Sequence, residues 1–186
     1  MFIFGMLAEI RDKITENTAE AFARLYDQFM PKVFRYINYR IVDMHMAEDL
    51  TSTVFEKALT KFKSYDSEKA GFSTWIFSIA RNTLIDHYRT HKADRNVPLE
   101  NALPLSAETV SVEEVITREE ECQILQKCVK ELSAREQEII SLKFGGEMTN
   151  REIARMTGLS ESNVGTTIFR TVRKLRDNFS RWQNGD

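Results

Sequence analysis

Residues 149–164 decide the fold, and they read Thr149-Asn-Arg-Glu-Ile-Ala-Arg-Met-Thr-Gly158-Leu-Ser-Glu-Ser-Asn-Val164. Thr149 and Glu152 have the spacing of a capping box, in which a hydroxyl and a carboxylate each satisfy an unpaired amide at a helix start. Gly158 permits a sharp turn, and Ser160 can cap a second helix. The stretch therefore predicts a short helix, a tight turn and a longer helix, which is the helix-turn-helix pattern.

The second helix of this pair carries side chains that suit DNA. Short polar groups near its start can reach base edges in the major groove, and basic groups farther along can contact phosphates. The predicted base-edge set is Ser162, Asn163, Thr166 and Thr167, and the predicted phosphate set is Arg170, Arg173 and Lys174. A three-helix packing module without DNA function is the alternative, but the caps, the glycine and the charge all favour DNA binding.

A second capping box lies upstream, at Ser133-Ala-Arg-Glu136, and predicts a helix that ends at Gly145 and Gly146. Residues 112–129 carry apolar side chains that predict a first helix before it. The last helix of the chain is expected to bury the apolar side chains Val164, Ile168, Val172 and Leu175. Residues 112–186 are thus predicted to form one helical domain.

Residues 1–92 predict another helical domain. Apolar side chains at spacings of three and four indicate a first helix that buries Phe22, Tyr26, Phe29, Val33 and Ile37. Pro31 lies within this stripe, so we expect a kink there or a break between two helices. Asp43 can cap a second helix, and Ser73 or Thr74 can open a third one. Three amphipathic helices can bury one small core.

Residues 93–111 predict a linker, because they contain Pro98 and Pro104 and no sustained periodicity. Between residues 99 and 121, seven acids face the single base Arg118, a local charge of 1 − 7 = −6. The whole chain has a net charge of −2, so the remainder carries −2 + 6 = +4. Basic patches separated by an acidic connection suit two contacts with a polyanion, although solvated helix surfaces would give the same pattern.

The fold class predicted from these patterns is all-α: two small helical domains joined by a flexible acidic linker, the second a helix-turn-helix domain. The 186 residues include 3 Pro and 7 Gly, too few for the frequent turns of an all-β fold. Cys122 and Cys128 match no metal or redox spacing, so we expect no disulfide and a reducing cytoplasm. The apolar start of the chain makes a poor signal peptide, and no run is long enough to cross a membrane.

Catalytic and metal-binding patterns are weak. His87 and His91 have the spacing of a metal pair on a helix, but no third ligand accompanies them. Glu48, Asp49 and Glu56 lack a partner nucleophile, a glycine-rich phosphate loop or a metal pattern. We therefore expect no enzyme, no cofactor and no metal site.

Several stretches resemble the sigma-70 family of bacterial sigma factors. Leu132-Ser-Ala-Arg-Glu-Gln-Glu-Ile139 and residues 149–164 resemble the carboxy-terminal domain of that family. Phe72-Ser-Thr-Trp-Ile-Phe-Ser-Ile-Ala-Arg-Asn82 and the residues up to Arg89 are similar to the helix that reads and opens the minus-ten element. Ala47-Glu-Asp-Leu50 resembles the stretch that docks on the RNA polymerase clamp. The order of these blocks and the short linker resemble the extracytoplasmic-function group.

The resemblance implies a role for each block. The amino-terminal domain would dock on core RNA polymerase through Glu48, Asp49, Ser52 and Glu56. The carboxy-terminal domain would read the minus-thirty-five element. Minus-ten contacts would come from Lys61, Lys63, Tyr65, Arg81, Asn82, Asp86, Arg89 and Lys92. The linker would follow the RNA exit path of polymerase, and an anti-sigma factor is expected as a further partner. Gly165 and Thr167 stand where the family often has Lys or Arg, so a promoter sequence is not carried over.

The residues themselves leave other interpretations open. Tyr65 is the candidate stacking surface for an extruded base, but it could equally cover the apolar end of the preceding helix. A stand-alone regulator would pair the helix-turn-helix with an amino-terminal sensing domain and would bind promoter duplex without polymerase. A protein adaptor would use both blocks for docking and would show no salt-dependent DNA binding.

Overall fold

The computed structural model describes residues 16–41, 43–90, 121, 124–125 and 127–184, and the statements below concern these residues. The described helices, in chain order, are α1 (Glu16–Asn38), α2 (Met44–Lys61), α3 (Phe72–Thr90), α4 (Ala134–Ile140), α5 (Asn150–Thr157) and α6 (Glu161–Asn184). A 3-10 turn (Phe62–Ser64) follows α2, and a π turn (Ser141–Gly145) follows α4. These ranges contain no strand, and the all-α prediction is confirmed.

The linker at 93–111, Lys92, His91 and Cys122 lie outside the described residues, as does most of the helix predicted at 112–129. Residues 121, 124, 125 and 127–129 of that helix are described and are helical, and the helix continues to residue 130. Asn178 on α6 donates a hydrogen bond of 2.7 Å to Glu131, which follows this helical stretch. The contact joins the segment at residues 127–131 to α6. These residues together with α4, α5 and α6 are called the second block.

The first block, α1 to α3, follows the predicted pattern with two corrections. Of the kink or break expected at Pro31, the break is wrong, because α1 runs through that residue as one helix. Pro31 is exposed, while Phe29 and Val33 on either side are buried, so both halves of α1 are held against the same core. The third helix begins at Phe72 rather than at Ser73 or Thr74.

The cap at Asp43 is confirmed, since its carboxylate accepts a hydrogen bond of 3.1 Å from the Met46 amide. This bond satisfies one of the unpaired amides at the start of α2. Beyond the cap, α2 buries one face through Leu50, Val54 and Ala58. Its opposite face remains available to solvent, which places the predicted polymerase-docking residues on an open surface.

The second block is organised by its two predicted capping boxes, and both are present. The Ser133 amide donates to Glu136 at 2.8 Å, and the Thr149 amide donates to Glu152 at 2.8 Å. The hydrogen bonds from Ser133 hold the pKa of Glu136 below its usual value. Because these contacts span three residues, the sequence alone determines where α4 and α5 begin.

The turn between α5 and α6 also forms as predicted. Gly158 ends α5 with φ of +72°, in the left-handed region that glycine adopts without a Cβ clash. Ser160 then caps α6 by accepting a hydrogen bond of 3.2 Å from the Asn163 amide. Leu159, between these two residues, packs against the hydrophobic core and closes the corner.

The two blocks share one hydrophobic core. The cluster of buried residues runs from Val33 and Phe77 in the first block to Ile139 and Leu142 in the second. At Gly145 the two backbones come so close that an added Cβ would lie 2.8 Å from the N and Cα atoms of Tyr36. The first block therefore packs directly on the π turn of the second, which the sequence did not predict.

Because the neighbours of Gly145 are backbone atoms, they cannot rotate away from an added methyl group. We expect Gly145→Ala to destabilise the chain by about 1–3 kcal/mol, the usual range for overpacking. The melting temperature should fall by roughly 3–10 °C in a thermal unfolding scan. Gly71→Ala is the matched control, because an added Cβ at Gly71 meets no atom within 4 Å. Equal melting temperatures for both variants would mean that the blocks do not pack this way in solution.

Candidate nucleic-acid interface

The helix-turn-helix presents α6 to solvent on the side away from the core. Ile153 of α5 and Val164 of α6 are buried and hold the two helices together. An added Cβ at Gly165 would lie 3.5 Å from the side-chain amide nitrogen of Asn150, an ordinary van der Waals distance, so the two helices are in contact at this point. Both helices are thereby fixed by apolar contacts that leave the polar side of α6 uncovered.

The residues predicted to contact DNA are accessible on α6. All are exposed except Thr167, which is half-buried: Ser162, Asn163, Thr166, Thr167, Arg170, Arg173 and Lys174. At 100° per residue, Asn163, Arg170 and Lys174 lie on one side of the helix. Lys174 lies 3.6 Å from Glu136, so its ammonium group has a carboxylate neighbour within the block. The structure brings the set together on one helix, and its contacts with bases and phosphates stay predictions.

A second polar face lies on α3. Asn82, Asp86 and Arg89 are exposed and recur at helical spacing, opposite the buried side of the helix. Asp86 and Arg89 lie 3.7 Å apart across one turn. Lys61 at the end of α2 and Lys63 in the 3-10 turn are also exposed. The basic members of this set carry the charge that a phosphate contact requires, and their contacts with DNA stay predictions.

Tyr65 lies in an aromatic cluster at the loop between α2 and α3. Its ring centroid is 5.0 Å from that of Trp75 and 5.6 Å from that of Phe72, and its hydroxyl donates a 3.1 Å hydrogen bond to the Ala70 carbonyl. Burial raises the pKa of the Tyr65 hydroxyl. The side chain thus covers the apolar end of the preceding helix while remaining partly accessible, and base stacking stays a prediction.

Arg81 faces away from the other minus-ten candidates. It precedes Asn82 by one residue and so points roughly 100° from it around α3. Its guanidinium donates a hydrogen bond to the Glu138 carboxylate of the second block, and this bond raises the pKa of Arg81. The ion pair engages the Nε atom of Arg81, and a phosphate contact by Arg81 stays a prediction.

The predicted polymerase-docking residues lie along one face of α2. Glu48, Asp49 and Glu56 are exposed and Ser52 is half-buried, opposite the buried residues of the same helix. Glu48 lies 3.7 Å from His45, an ion pair when the imidazole is protonated. This face is predominantly acidic, and it is suited to a basic partner surface.

The sequence reasoning missed a set of charged residues between the blocks. Glu147 lies 2.8 Å from the Lys32 ammonium and also accepts a hydrogen bond from Arg35. Lys32 holds the pKa of Glu147 below its usual value. Burial opposes ionisation of Glu152, but hydrogen bonds from Thr149 and from Ser73 in the first block leave its pKa lowered. The paired glycines at 145 and 146, which permit close backbone approach, are the one signal that could have found this contact.

Metal-binding groups and membrane-spanning helices are both absent from the described residues. Within those ranges, no group of three or more His, Cys, Asp or Glu side chains is placed to hold a metal ion. The described helices include none that is both long and apolar enough to span a bilayer.

Each of the two blocks matches a known protein family. Residues 25–93 match the family Sigma-70 region 2, and residues 122–175 match Sigma-70, region 4. The chain is also 30% identical over 152 residues to the RNA polymerase sigma factor SigZ of Bacillus subtilis, a match that covers 82% of this chain and 83% of that protein. The chain belongs to the sigma-70 family.

Further relatives place this sigma factor in the extracytoplasmic-function group. It is 31% identical over 169 residues to the ECF RNA polymerase sigma factor BldN of Streptomyces coelicolor, across 91% of this chain and 64% of that relative's length. The sigma factor RpoE of Bartonella quintana, solved in complex with the anti-sigma factor NepR, has the same fold. That likeness has a TM-score of 0.68 and 18% identity, and it covers 87% of this chain and 98% of the other.

The function is that of an RNA polymerase sigma factor, and the stand-alone regulator is not favoured. Both family matches fall on the blocks that the motifs predicted, in the same order. The resemblance inferred from the sequence is therefore confirmed.

Substitutions on α6 should separate phosphate contacts from base contacts in this sigma factor. We expect Arg170→Ala to weaken promoter binding to a similar degree on every sequence. The slope of the logarithm of the binding constant against the logarithm of the salt concentration should become smaller by about one. Asn163→Ala and Thr167→Ala should instead change which bases are preferred, by about 1–3 kcal/mol at the affected position. Binding to a randomised promoter pool at two salt concentrations measures both effects. Sequence-blind losses from all three variants would contradict the predicted docking of α6.

Proposed function

We propose that this sigma factor directs core RNA polymerase to specific promoters and promotes melting of the DNA at the minus-ten element. The observation that carries the proposal is the pair of family matches on two blocks, each with an exposed polar face. One face, on α6, suits duplex DNA, and the other, on α3, suits a nucleic-acid strand. Neither face needs to perform covalent chemistry, and we infer that the chain is not an enzyme.

The second block reads the minus-thirty-five element as duplex. Residues near the start of α6 reach base edges, and the basic residues one to three turns later fix the register on the phosphates. The exposed positions of Asn163 and Arg170 support this division. Because the caps and Gly158 hold α6 rigidly against α5, the helix can enter the groove without rearranging.

The first block holds the melted minus-ten strand. Extruding a base costs a few kcal/mol of unstacking and unpairing, so the protein must offer new contacts to the base as it emerges. Stacking on an aromatic side chain contributes about 1–3 kcal/mol per base, and Tyr65 offers such a surface. Asn82 can hydrogen-bond to a base edge, and Lys61, Lys63 and Arg89 can neutralise phosphates.

The α2 face carries the contact with core polymerase, through Glu48, Asp49, Ser52 and Glu56. The linker at 93–111 follows the RNA exit path of the polymerase. An anti-sigma factor restrains the free chain in the cytoplasm, since a relative of this chain is described in complex with such a protein. These assignments rest on the family resemblance together with the exposure of the α2 face.

Run-off transcription tests the proposed function directly. Purified core polymerase is supplied with a library of genomic fragments, with and without this sigma factor. We expect discrete start sites that appear when the chain is present and disappear when it is omitted. A protein adaptor would add no start sites and would show no salt-dependent DNA binding, and that result would overturn the proposal.

A charge reversal on α2 tests the polymerase contact. We expect Asp49→Lys to weaken binding to core polymerase at least about tenfold, because like charges placed opposite each other cost several kcal/mol. Asp27→Lys on α1 is the matched control, because Asp27 is also an exposed helical aspartate. This substitution changes the net charge by the same amount. Titration of labelled sigma factor with core polymerase measures both affinities. Equal losses from both variants would indicate a general effect of charge and would exclude the specific face.

A further inference from the structure

Tyr88 near the end of α3 connects two parts of the first block. In the sequence it lies between Asp86 and Arg89, which are exposed, whereas Tyr88 itself is partly buried. Its hydroxyl donates a hydrogen bond of 2.8 Å to the carbonyl of Arg40, in the connection between α1 and α2. The end of the helix that carries predicted DNA contacts is thereby joined to the segment that leads into α2.

The carbonyl of Arg40 depends on a partner from elsewhere in the fold. Arg40 follows the last residue of α1 by two positions, so its carbonyl lies outside both helices and must find a donor beyond them. The Arg40 amide donates a hydrogen bond of 2.8 Å to the Ile37 carbonyl, and the next residue, Ile41, is buried in the core. The guanidinium carbon of Arg40 also lies 5.8 Å from the centroid of the Tyr88 ring, a favourable cation–π distance. Tyr88 therefore holds Arg40 through both its hydroxyl and its ring.

A second hydrogen bond joins α2 to α3 farther along both helices. The ammonium group of Lys57 donates a bond of 3.1 Å to the hydroxyl of Thr83. Thr83 is buried and follows Asn82, which is exposed. Lys57 lies near the end of α2, whereas Arg40 precedes its start. The two bonds therefore fix α2 against α3 near both of its ends.

The predicted contacts of the first block are divided between these two helices. Glu48 and Asp49, predicted to dock on polymerase, belong to α2, and Asn82 and Arg89, predicted to contact DNA, belong to α3. A polymerase bound to α2 presents α3 at a defined position only if the two helices keep a fixed relation. A loosened contact would have to be ordered again when both surfaces bind, and that ordering lowers the affinity. Loss of one hydrogen bond changes an equilibrium constant about two- to twelvefold.

We propose that Tyr88 is a positioning residue, which holds the connection between α1 and α2 on the end of α3 so that polymerase docked on α2 presents α3 to the minus-ten strand. Lys57 and Thr83 complete this α2–α3 joint, which consists of Arg40, Lys57, Thr83 and Tyr88. The Tyr88 hydroxyl acts in this role through the two helices that it connects. The consequence for promoter opening rests on the proposed function, whereas the joint is a property of the free chain.

Amide hydrogen exchange of the free full-length chain tests the joint without polymerase or DNA. Tyr88→Phe removes the hydroxyl and keeps the ring, and local opening near Arg40 then breaks one bond fewer. We expect the peptide that covers residues 39–47 to exchange about three- to tenfold faster in this variant. Tyr39→Phe is the matched control, because Tyr39 is an exposed tyrosine in the same connection, and it should leave the exchange unchanged.

Thr83→Val tests the second bond by removing the acceptor of Lys57 while the charge of Lys57 is kept. We expect residues 53–61 of α2 to exchange about two- to fivefold faster. Thr60→Val is the matched control, because Thr60 is exposed and its hydroxyl bonds only within α2, to the Glu56 carbonyl. If Tyr88→Phe loses helical circular dichroism, Thr83→Val carries both the exchange and the transcription measurements.

Initiation from duplex and pre-melted templates measures the consequence for promoter opening. A strand that is already unpaired is captured without the cost of unpairing, so it depends less on the exact placement of α3. With core polymerase, Tyr88→Phe and Thr83→Val should each lower the ratio of duplex to pre-melted initiation about three- to tenfold. Tyr39→Phe and Thr60→Val should keep the wild-type ratio. Affinity for core polymerase should be unchanged in all four variants, because the acidic face of α2 is intact.

The outcomes separate the joint from the proposed function. Wild-type exchange rates in Tyr88→Phe overturn the joint, whatever the transcription assay shows. Faster exchange with a wild-type template ratio, or equal losses on both templates with a lower melting temperature, overturns the positioning role. If the wild-type chain gives no start sites on either template, the proposed function fails, and the exchange rates still decide whether the joint exists.

Discussion

The close approach of Gly145 to the backbone of Tyr36 is the constraint on which the rest of the contact between blocks depends. An added Cβ at this position would lie 2.8 Å from backbone atoms of Tyr36, so the π turn and α1 would have to move apart. Phe77 would then lose its contact with Gly146, and Glu147 would move away from Lys32. The absence of a side chain at Gly145 therefore allows both the shared core and the ion pairs to form. The attraction between packed apolar atoms weakens strongly when they move apart by a fraction of an ångström.

Local features of the fold were predictable from the sequence, and long-range features were not. The boxes at Ser133 and Thr149 and the turn at Gly158 involve residues at most four positions apart, so their spacing determines the geometry. A helix break at Pro31 does not occur, because buried residues on both sides of the proline hold one continuous helix against the core. The pairing of Lys32 with Glu147 joins residues over 110 positions apart, and no pattern within one helix indicates it.

The candidate site likewise contains features that the sequence predicts and features that it does not. Exposure of Asn163 and Arg170 follows from helix periodicity once the buried side of α6 is known. Charge places Arg81 among the predicted phosphate contacts, although it points in a different direction from its neighbour Asn82 on the helix. Its true environment depends on Glu138, which the sequence places in a different block. Charge alone indicates that a residue can bind phosphate and gives no information on what else competes for it.

On α6, the positions predicted to contact bases are distinct from the position that is buried in the core. Val164 is buried against the rest of its block, whereas its neighbours Ser162, Asn163 and Thr166 contribute little to the core. Substitutions at such exposed positions usually change stability by less than about 0.5 kcal/mol. A duplicated copy of this gene could therefore acquire a new target site through a few changes on one helix while its scaffold stayed intact. Paralogues with distinct regulons can diverge by that route without passing through an unstable ancestor.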